Sequence, residues 1–334
     1  MQFSDDVIYT VDVAEGEGIL AAALAQDVPV LHQCQSGSCG SCVCHLAAGK
    51  VEMRKDMSAS LLKSEQDAGM RLACISQAFS DSVLDFDYDS KMGEKGPINV
   101  TVFIDSIDWL SDDVIRLNVE LADGQWFDFK PGQFAQIQVP GTNQVRRYSM
   151  SSSPEDLPKI EFLIRILPEG LMSDYIRDTA KVDDALEIEG AFGSFFLRDI
   201  SAREPHIMIA GGTGLAPIMS MLDAIRKKNG IKPSILLSFG CLNSSSLFHV
   251  DELELRTDWM PTLKTRISLN QGEAENNIII GNPLQALQRS DVTAEDTVAY
   301  LCGPPGMISA AHSMLEGFGL KPENIHAEQF VASE

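Results

Sequence analysis

The chain is short of positive charge. Its 334 residues carry 26 Lys and Arg against 48 Asp and Glu, a formal net charge of −22. Such a surface repels phosphate backbones and anionic bilayers, which argues against nucleic acid and membrane surfaces as partners. It leaves solubility, or an acidic docking face for a basic protein, as its use. No apolar run approaches the roughly 18 residues of a membrane span. Met1 to Asp6 is polar and acidic, without the basic and apolar regions of a secretory signal, so a cytoplasmic protein is expected. Histidine is scarce, and His206, His249, His312 and His326 are scattered as structural or surface residues. No Ser–His–Asp or Cys–His constellation stands out. Internal repeats and low-complexity segments are absent as well.

What is present is cysteine of an unusual distribution. There are seven, an odd number, and four fall between Cys34 and Cys44. Clustered cysteines in a reducing compartment bind metal more often than they form disulfides. Cys34, Cys39 and Cys42 form a C-x4-C-x2-C run, and Cys74 follows 32 residues after Cys42. That spacing matches the plant-type ligand set of a 2Fe–2S cluster. The intervening residues, Ser36, Gly37, Ser38, Gly40 and Ser41, are small enough for a loop that turns its N–H groups onto sulfur. Zinc sites usually show two C-x2-C-like pairs, and only Cys39–Cys42 makes one. A Rieske centre would need histidines in place of two cysteines, and His32 and His45 do not fall in the right order. Cys44 reads as a buried thiol rather than a ligand.

Residues 7–13 read as a strand, 19–25 as a helix ended by Asp27 and Pro29, and 43–53 as strand and turn. A short polar helix over 61–68 precedes Cys74, and 81–87 gives another strand. This order resembles the β-grasp ferredoxin fold. Residues 89–97, with two glycines and a proline, read as a linker. From Val100 to about Asp199, short strands (100–104, 114–119, 134–139, 160–165, 185–189) and one helix, Met172 to Arg177, suggest an antiparallel barrel. From His206 the pattern becomes strand then helix: strands 206–210, 234–239 and 297–301, helices 215–225 and 307–316. That alternation implies a parallel α/β sheet. The expected domains are 1–88 (2Fe–2S ferredoxin), 89–97 (linker), 98–202 (β-barrel) and 203–334 (α/β).

The barrel region carries Pro131-Gly132-Gln133-Phe134, then Arg146-Arg147-Tyr148-Ser149, then Gly170-Leu171-Met172-Ser173 at a predicted helix start. A flavin needs an aromatic face (Tyr148), a hydroxyl near N5 (Ser149), a cation on the pyrophosphate (Arg146) and helix N-terminal amides for the remaining charge. Together the three pieces resemble the FAD-binding domain of the ferredoxin reductase family. In the α/β region, Gly211-Gly212-Thr213-Gly214-Leu215-Ala216-Pro217 and Cys302-Gly303-Pro304-Pro305-Gly306-Met307 each stand between a strand and a helix. The first is not a full G-x-G-x-x-G, since Pro217 replaces the third glycine.

The whole chain resembles the reductase components of bacterial multicomponent oxygenases, in the ferredoxin–FAD–NAD arrangement, benzoate-type dioxygenase reductases being the nearest kind. One departure is Ala191, where the Gly190-Ala191-Phe192-Gly193 turn usually has proline. The resemblance implies a cluster held by Cys34, Cys39, Cys42 and Cys74. It implies FAD against Arg146, Tyr148, Ser149, Arg165, Gly170, Met172 and Ser173. It places Gly212, Thr213, Gly214, Cys302, Gly303 and Pro304 around the nicotinamide, with Cys302 beside the hydride-transfer site. Glu328-Gln329-Phe330 matches the family's terminal E-x-F, with Phe330 near the flavin. NADPH-preferring relatives often place arginine where this chain has Leu242, followed by Asn243-Ser244-Ser245-Ser246, so NADH is expected; Arg256 or a lysine reaching in would change that. The expected electron acceptor is a terminal Rieske aromatic-ring oxygenase or a small ferredoxin. A diiron monooxygenase or a deoxysugar dehydratase is the alternative, and a redox-sensing role fits less well, since a sensor needs no nicotinamide loops. A monomer is expected.

Overall fold

A computed structural model describes residues 1–57, 60–198, 204–273 and 278–330. The chain forms two units, Met1–Pro97 with Phe192–Phe195, and Ile98–Ala191 with Phe196–Glu334.

The first unit holds β1 (Gln2–Phe3), α1 (Ile19–Ala25), β2 (Val43–Ala48), β3 (Val51–Met53), α2 (Lys63–Asp67), β4 (Met70–Leu72), β5 (Ser76–Ala78), β6 (Val83–Phe86) and α3 (Lys91–Glu94). Its main sheet runs β1-β6-β2-β4, and β3 pairs with β5. α1 buries Ile19, Leu20, Ala22 and Ala23, the stripe that helical spacing anticipates. The strand expected over 7–13 does not form. Only Ile8 makes an isolated bridge, to Gln2, and Val7 and Ile8 are exposed. β-branched residues favour a strand only where a neighbouring strand supplies side chains to pack on.

The stretch 89–97 is not a featureless linker. Ser90 is buried, and its Oγ donates to Asp5 Oδ2 at 2.8 Å. Tyr88 just before it is 1% exposed and accepts a bond from Leu31 N. A Cβ on Gly93 would lie 1.8 Å from Pro29 O, so this helix packs backbone to backbone on the first unit. Gly96, by contrast, has open space around it.

The second unit begins with β7 (Ile98–Trp109), β8 (Val114–Leu121), β9 (Phe134–Gln138), β10 (Val145–Ser149), β11 (Lys159–Arg165), α4 (Leu171–Asp178) and β12 (Ala185–Phe192). The sheet order is β10-β9-β12-β7-β8-β11. A bridge between Met150, just past β10, and Phe162 of β11 joins its two ends into a barrel. Alternate residues fill the interior: Val100, Val102 and Ile104 of β7 are buried while Phe103 faces out.

There follow β13 (His206–Gly211), α5 (Leu215–Lys227), β14 (Ile235–Cys241), α6 (Val250–Trp259), β15 (Leu263–Leu269), β16 (Ile279–Ile280), β17 (Val298–Gly303), α7 (Pro305–Phe318) and β18 (Ile325–Gln329). The sheet order is β16-β15-β14-β13-β17-β18, with every pairing parallel. β13 has β14 on one side and β17 on the other, so the order reverses there. A crevice at the carboxyl ends of strands at such a reversal is where α/β sheets bind ligands. Pro217 is tolerated in the first turn of α5, where its missing N–H has no partner to lose. The expected boundary at 202/203 falls in residues 199–203, outside the described residues.

Candidate functional site

In the first unit the cysteine loop turns through Gly37 and Gly40, at φ +83° and +71°. Amides point at sulfur: Ser36 N and Ser38 N donate to Cys34 Sγ at 3.4 and 3.3 Å. Cys34 N donates to Cys39 Sγ at 3.5 Å, and Cys74 N to Cys42 Sγ at 3.4 Å. The neighbouring Cys39 and Cys74 thiols, with the Ser38 and Ser36 donors, push Cys34 toward the thiolate. Cys74 also neighbours Cys42, so the sulfurs form a chain of contacts, Cys39–Cys34–Cys74–Cys42. Among the described residues no group of three or more metal-binding side chains closes on one ion. Sulfurs linked in this way, each with amide donors in reach, fit a cluster that takes two cysteines per iron. Cys44 is elsewhere: it is 2% exposed and donates to Arg71 O at 3.6 Å.

In the second unit, β10 presents Arg146, Tyr148 and Ser149, paired with Ile137, Ala135 and Phe134 of β9. Burial pushes the Tyr148 phenol up. Arg146 bonds Gln144 Oε1 and Val145 O, both local partners. Arg165 bonds Asp113 Oδ2 at 2.9 Å. Gly170 is the N-cap residue of α4, Met172 and Ser173 are buried in its first turn, and Ser173 Oγ accepts from Leu167 N.

The two glycine loops leave adjacent strands at the reversal point, with Ala210 in register with Cys302. A Cβ on Gly214 would lie 2.3 Å from Cys302 O, so only glycine lets the loops approach this closely. Phe330 N donates to Gly303 O at 2.9 Å. On β18, Glu328 stands opposite Cys302 and accepts the Ser149 hydroxyl at 3.3 Å. Enclosure of the carboxyl, partly offset by Ser149, pushes Glu328 up to about 8. Burial likewise pushes up the Cys302 thiol, 0% exposed. Ser149, Cys302 and Glu328 therefore lie together. In the sequence Glu328 stands only as part of the E-x-F match; its position across from Cys302 is the signal that singles it out.

Beyond β14, Leu242 O accepts Gln271 N at 2.9 Å. Asn243 Oδ1 accepts Ser245 Oγ and Ser246 N, and Ser245 O accepts Asp112 N at 3.0 Å, so 242–246 is a turn of uncharged residues held by its own groups and by two neighbours. Arg256 points elsewhere, bonded to Asp223 Oδ2 at 2.8 Å and Glu252 Oε2 at 2.9 Å.

Three protein-family models match the chain: 2Fe-2S iron-sulfur cluster binding domain over residues 3–78, oxidoreductase FAD-binding domain over 101–197, and oxidoreductase NAD-binding domain over 208–313. With the fold, they define an NAD(H)-dependent oxidoreductase carrying FAD and a 2Fe–2S cluster. The chain is 32% identical to the toluate 1,2-dioxygenase electron transfer component of Pseudomonas putida, over 99% of this chain and 97% of that one. It is 29% identical to the propane 2-monooxygenase reductase component of Mycolicibacterium smegmatis, over 98% and 96%. Among solved structures, an Amycolatopsis cytochrome P450 reductase superposes with TM-score 0.72 at 24% identity, over 96% of each chain. A ferredoxin reductase in carbazole 1,9a-dioxygenase superposes with TM-score 0.66 at 23% identity, over 99% and 97%. These two likenesses show the fold. The chain belongs to the family of electron transfer components of multicomponent oxygenases, and it passes electrons from NAD(H) through FAD and a 2Fe–2S cluster to an oxygenase system.

Proposed function

We propose that Cys34, Cys39, Cys42 and Cys74 ligate the cluster in a domain spanning 1–88. FAD is held in 98–202 by Arg146, Tyr148, Ser149, Arg165, Gly170, Met172 and Ser173. The nicotinamide nucleotide is held in 203–334 by Gly212, Thr213, Gly214, Cys302, Gly303 and Pro304, with Phe330 at the flavin. When bound, the flavin accepts hydride as an electron pair and the cluster accepts single electrons, so the flavin is the converter between them. The chain's own part is to bind and orient. Tyr148 offers an aromatic face, Ser149 a hydroxyl donor, and the first turn of α4 its free amides. Arg146 and Arg165 supply cations once they exchange their present partners for phosphate. Glu328, half-buried and bonded to Ser149, has its carboxyl pushed toward the neutral form, which lessens the cost of closing the site over it.

One observation carries this reading: the Ser149–Glu328 hydrogen bond, which brings the flavin motif of β10 to the strand beside Cys302. Replacing Ser149 with alanine should lower NADH-dependent flavin reduction per bound FAD by about 10- to 100-fold, the loss typical of one well-placed donor. Full activity in that variant would reject the site.

NADH is the proposed donor over NADPH. The 242–246 turn itself offers no cation to a 2′-phosphate, and charge-assisted bonds of that kind contribute roughly 1.5–3 kcal/mol. Arg256, the cation that could have reached in, is held by Asp223 and Glu252. The proposed acceptor is a Rieske ring-hydroxylating oxygenase, directly or through a small ferredoxin, because the toluate, 2-halobenzoate and anthranilate dioxygenase components are all similar along nearly the whole chain. The propane monooxygenase relatives support a second reading, a diiron monooxygenase. Reduction of one oxygenase type and not the other by the purified protein separates them. Among the described residues no helix is long and apolar enough to cross a membrane. A cytoplasmic location and a monomer are proposed from the sequence.

A further inference from the structure

Ser220 sits inside α5 and is 0% exposed. Serine is a weaker helix former than alanine, and a mid-helix hydroxyl usually turns back to its own helix carbonyls. Here it leaves the helix and donates to Ser152 O of the barrel at 2.6 Å. Ser152 lies three residues past Ser149, and Ser220 five residues, about 7.5 Å, past the first residue of α5. This bond is thus a short path between the end of β10 and the helix that follows the Gly212 loop.

The acceptor is itself fixed. Ser151 N and Ser151 Oγ donate to the backbone and side chain of Glu161, each at 2.8 Å, and Glu161 N donates to Ser152 Oγ at 3.0 Å. Charged ties flank it. Arg116 of β8 lies 3.9 Å from Glu161 and 4.0 Å from Glu252 of α6. Glu252 pairs with Arg256, which pairs with Asp223 of α5. Lys227, at the end of α5, bonds Asp156. The buried hydroxyl bond ties the end of β10 to α5 itself, whereas Ser149 meets β18 through Glu328.

We propose that Ser220 is a positioning residue: through Ser152 it sets the separation between the Tyr148-Ser149 strand end and the α5 N-terminus, and with it the approach of nicotinamide to flavin. The claim rests on the site reading above, with Ser149 at the flavin and the Gly212–Gly214 loop at the nucleotide. Misplacement of reacting groups by about 1 Å can cost on the order of 100-fold in rate, so a small slip of α5 is enough to register.

The test compares full-length holoprotein with its Ser220→Ala variant by stopped-flow flavin reduction and by the long-wavelength charge-transfer absorbance of reduced flavin with NAD+. The expected result is a fall of about tenfold in the limiting rate and a weaker charge-transfer band, with the NADH dissociation constant and FAD content little changed. A purely structural serine would lower the melting temperature and leave both readouts alone, which would overturn the proposal. If Ser220→Ala loses FAD, Ser220→Cys replaces it, keeping the size with a weaker donor; an intermediate rate supports the proposal, and a wild-type rate and band overturn it. Failure of the wild type itself to be reduced by NADH would sink the site reading and the positioning claim with it.

Discussion

At the scale of single residues, Glu328 has the most to reveal. Its carboxyl is raised from the ordinary 4.5 to about 8. The native state therefore holds a proton that the unfolded chain releases above pH 4.5. Stability is fullest below that pH and falls as pH rises through the window up to about 8. Glu328→Gln should flatten this part of the pH–stability profile, read from urea midpoints at pH 5, 6.5 and 8; a slope equal to wild type would place the carboxylate in water. The cysteines divide in the same way. Cys44→Ser should keep the cluster absorbance, because Cys44 donates to Arg71 O and stands outside the Cys39–Cys34–Cys74–Cys42 chain of contacts. Cys39→Ser or Cys74→Ser should lose it while NADH still reduces the flavin. Loss of the cluster in Cys44→Ser would mean that the ligands are misassigned.

At the scale of elements, the loops matter more than the strands and helices that present them. Gly214→Ala places a methyl 2.3 Å from a backbone carbonyl that cannot move aside. Overpacking of that kind costs roughly 1–3 kcal/mol, and the separated loops should bind NADH more weakly while FAD stays bound. NADH titration of the variant at wild-type affinity would refute the close approach. The stretches proposed to carry the chemistry, 34–42, 146–149, 211–217 and 302–307, stand out in the sequence because each packs its requirements into a few adjacent residues. The Ser149–Glu328 pair does not, since its members are 179 positions apart and nothing local links them. Propensity misled at residues 7–13, which meet only the two-residue β1, through the Gln2–Ile8 bridge and the Phe3 N–Val7 O and Tyr9 N–Met1 O bonds, so no longer ladder forms. α6 gave little warning, because Leu253 is its only buried residue and no apolar stripe announces it. At 89–97 glycine and proline suggested a free tether, yet Ser90 and Gly93 bind its first half to the first unit. The flexible part is then expected to be short, about Glu94 to Pro97. Limited proteolysis should cut there first, and early cleavage at 89–92 would contradict the docking of that half.

At the scale of the whole molecule, three modules in one chain turn a paired-electron donor into a single-electron supply. The nucleotide choice belongs at this scale too: kcat/KM should favour NADH over NADPH by roughly tenfold or more, as a missing charge-assisted contact implies, and equal rates would reject the neutral 242–246 turn as the selector. The central claim is the order of transfer, and rapid mixing of anaerobic holoprotein with NADH tests it most directly by following flavin and cluster absorbance separately. Flavin bleaching should come first and cluster bleaching second, and Cys74→Ser should retain only the first phase. Reduction of the cluster by NADH in flavin-depleted protein, or cluster bleaching ahead of the flavin, would contradict the account.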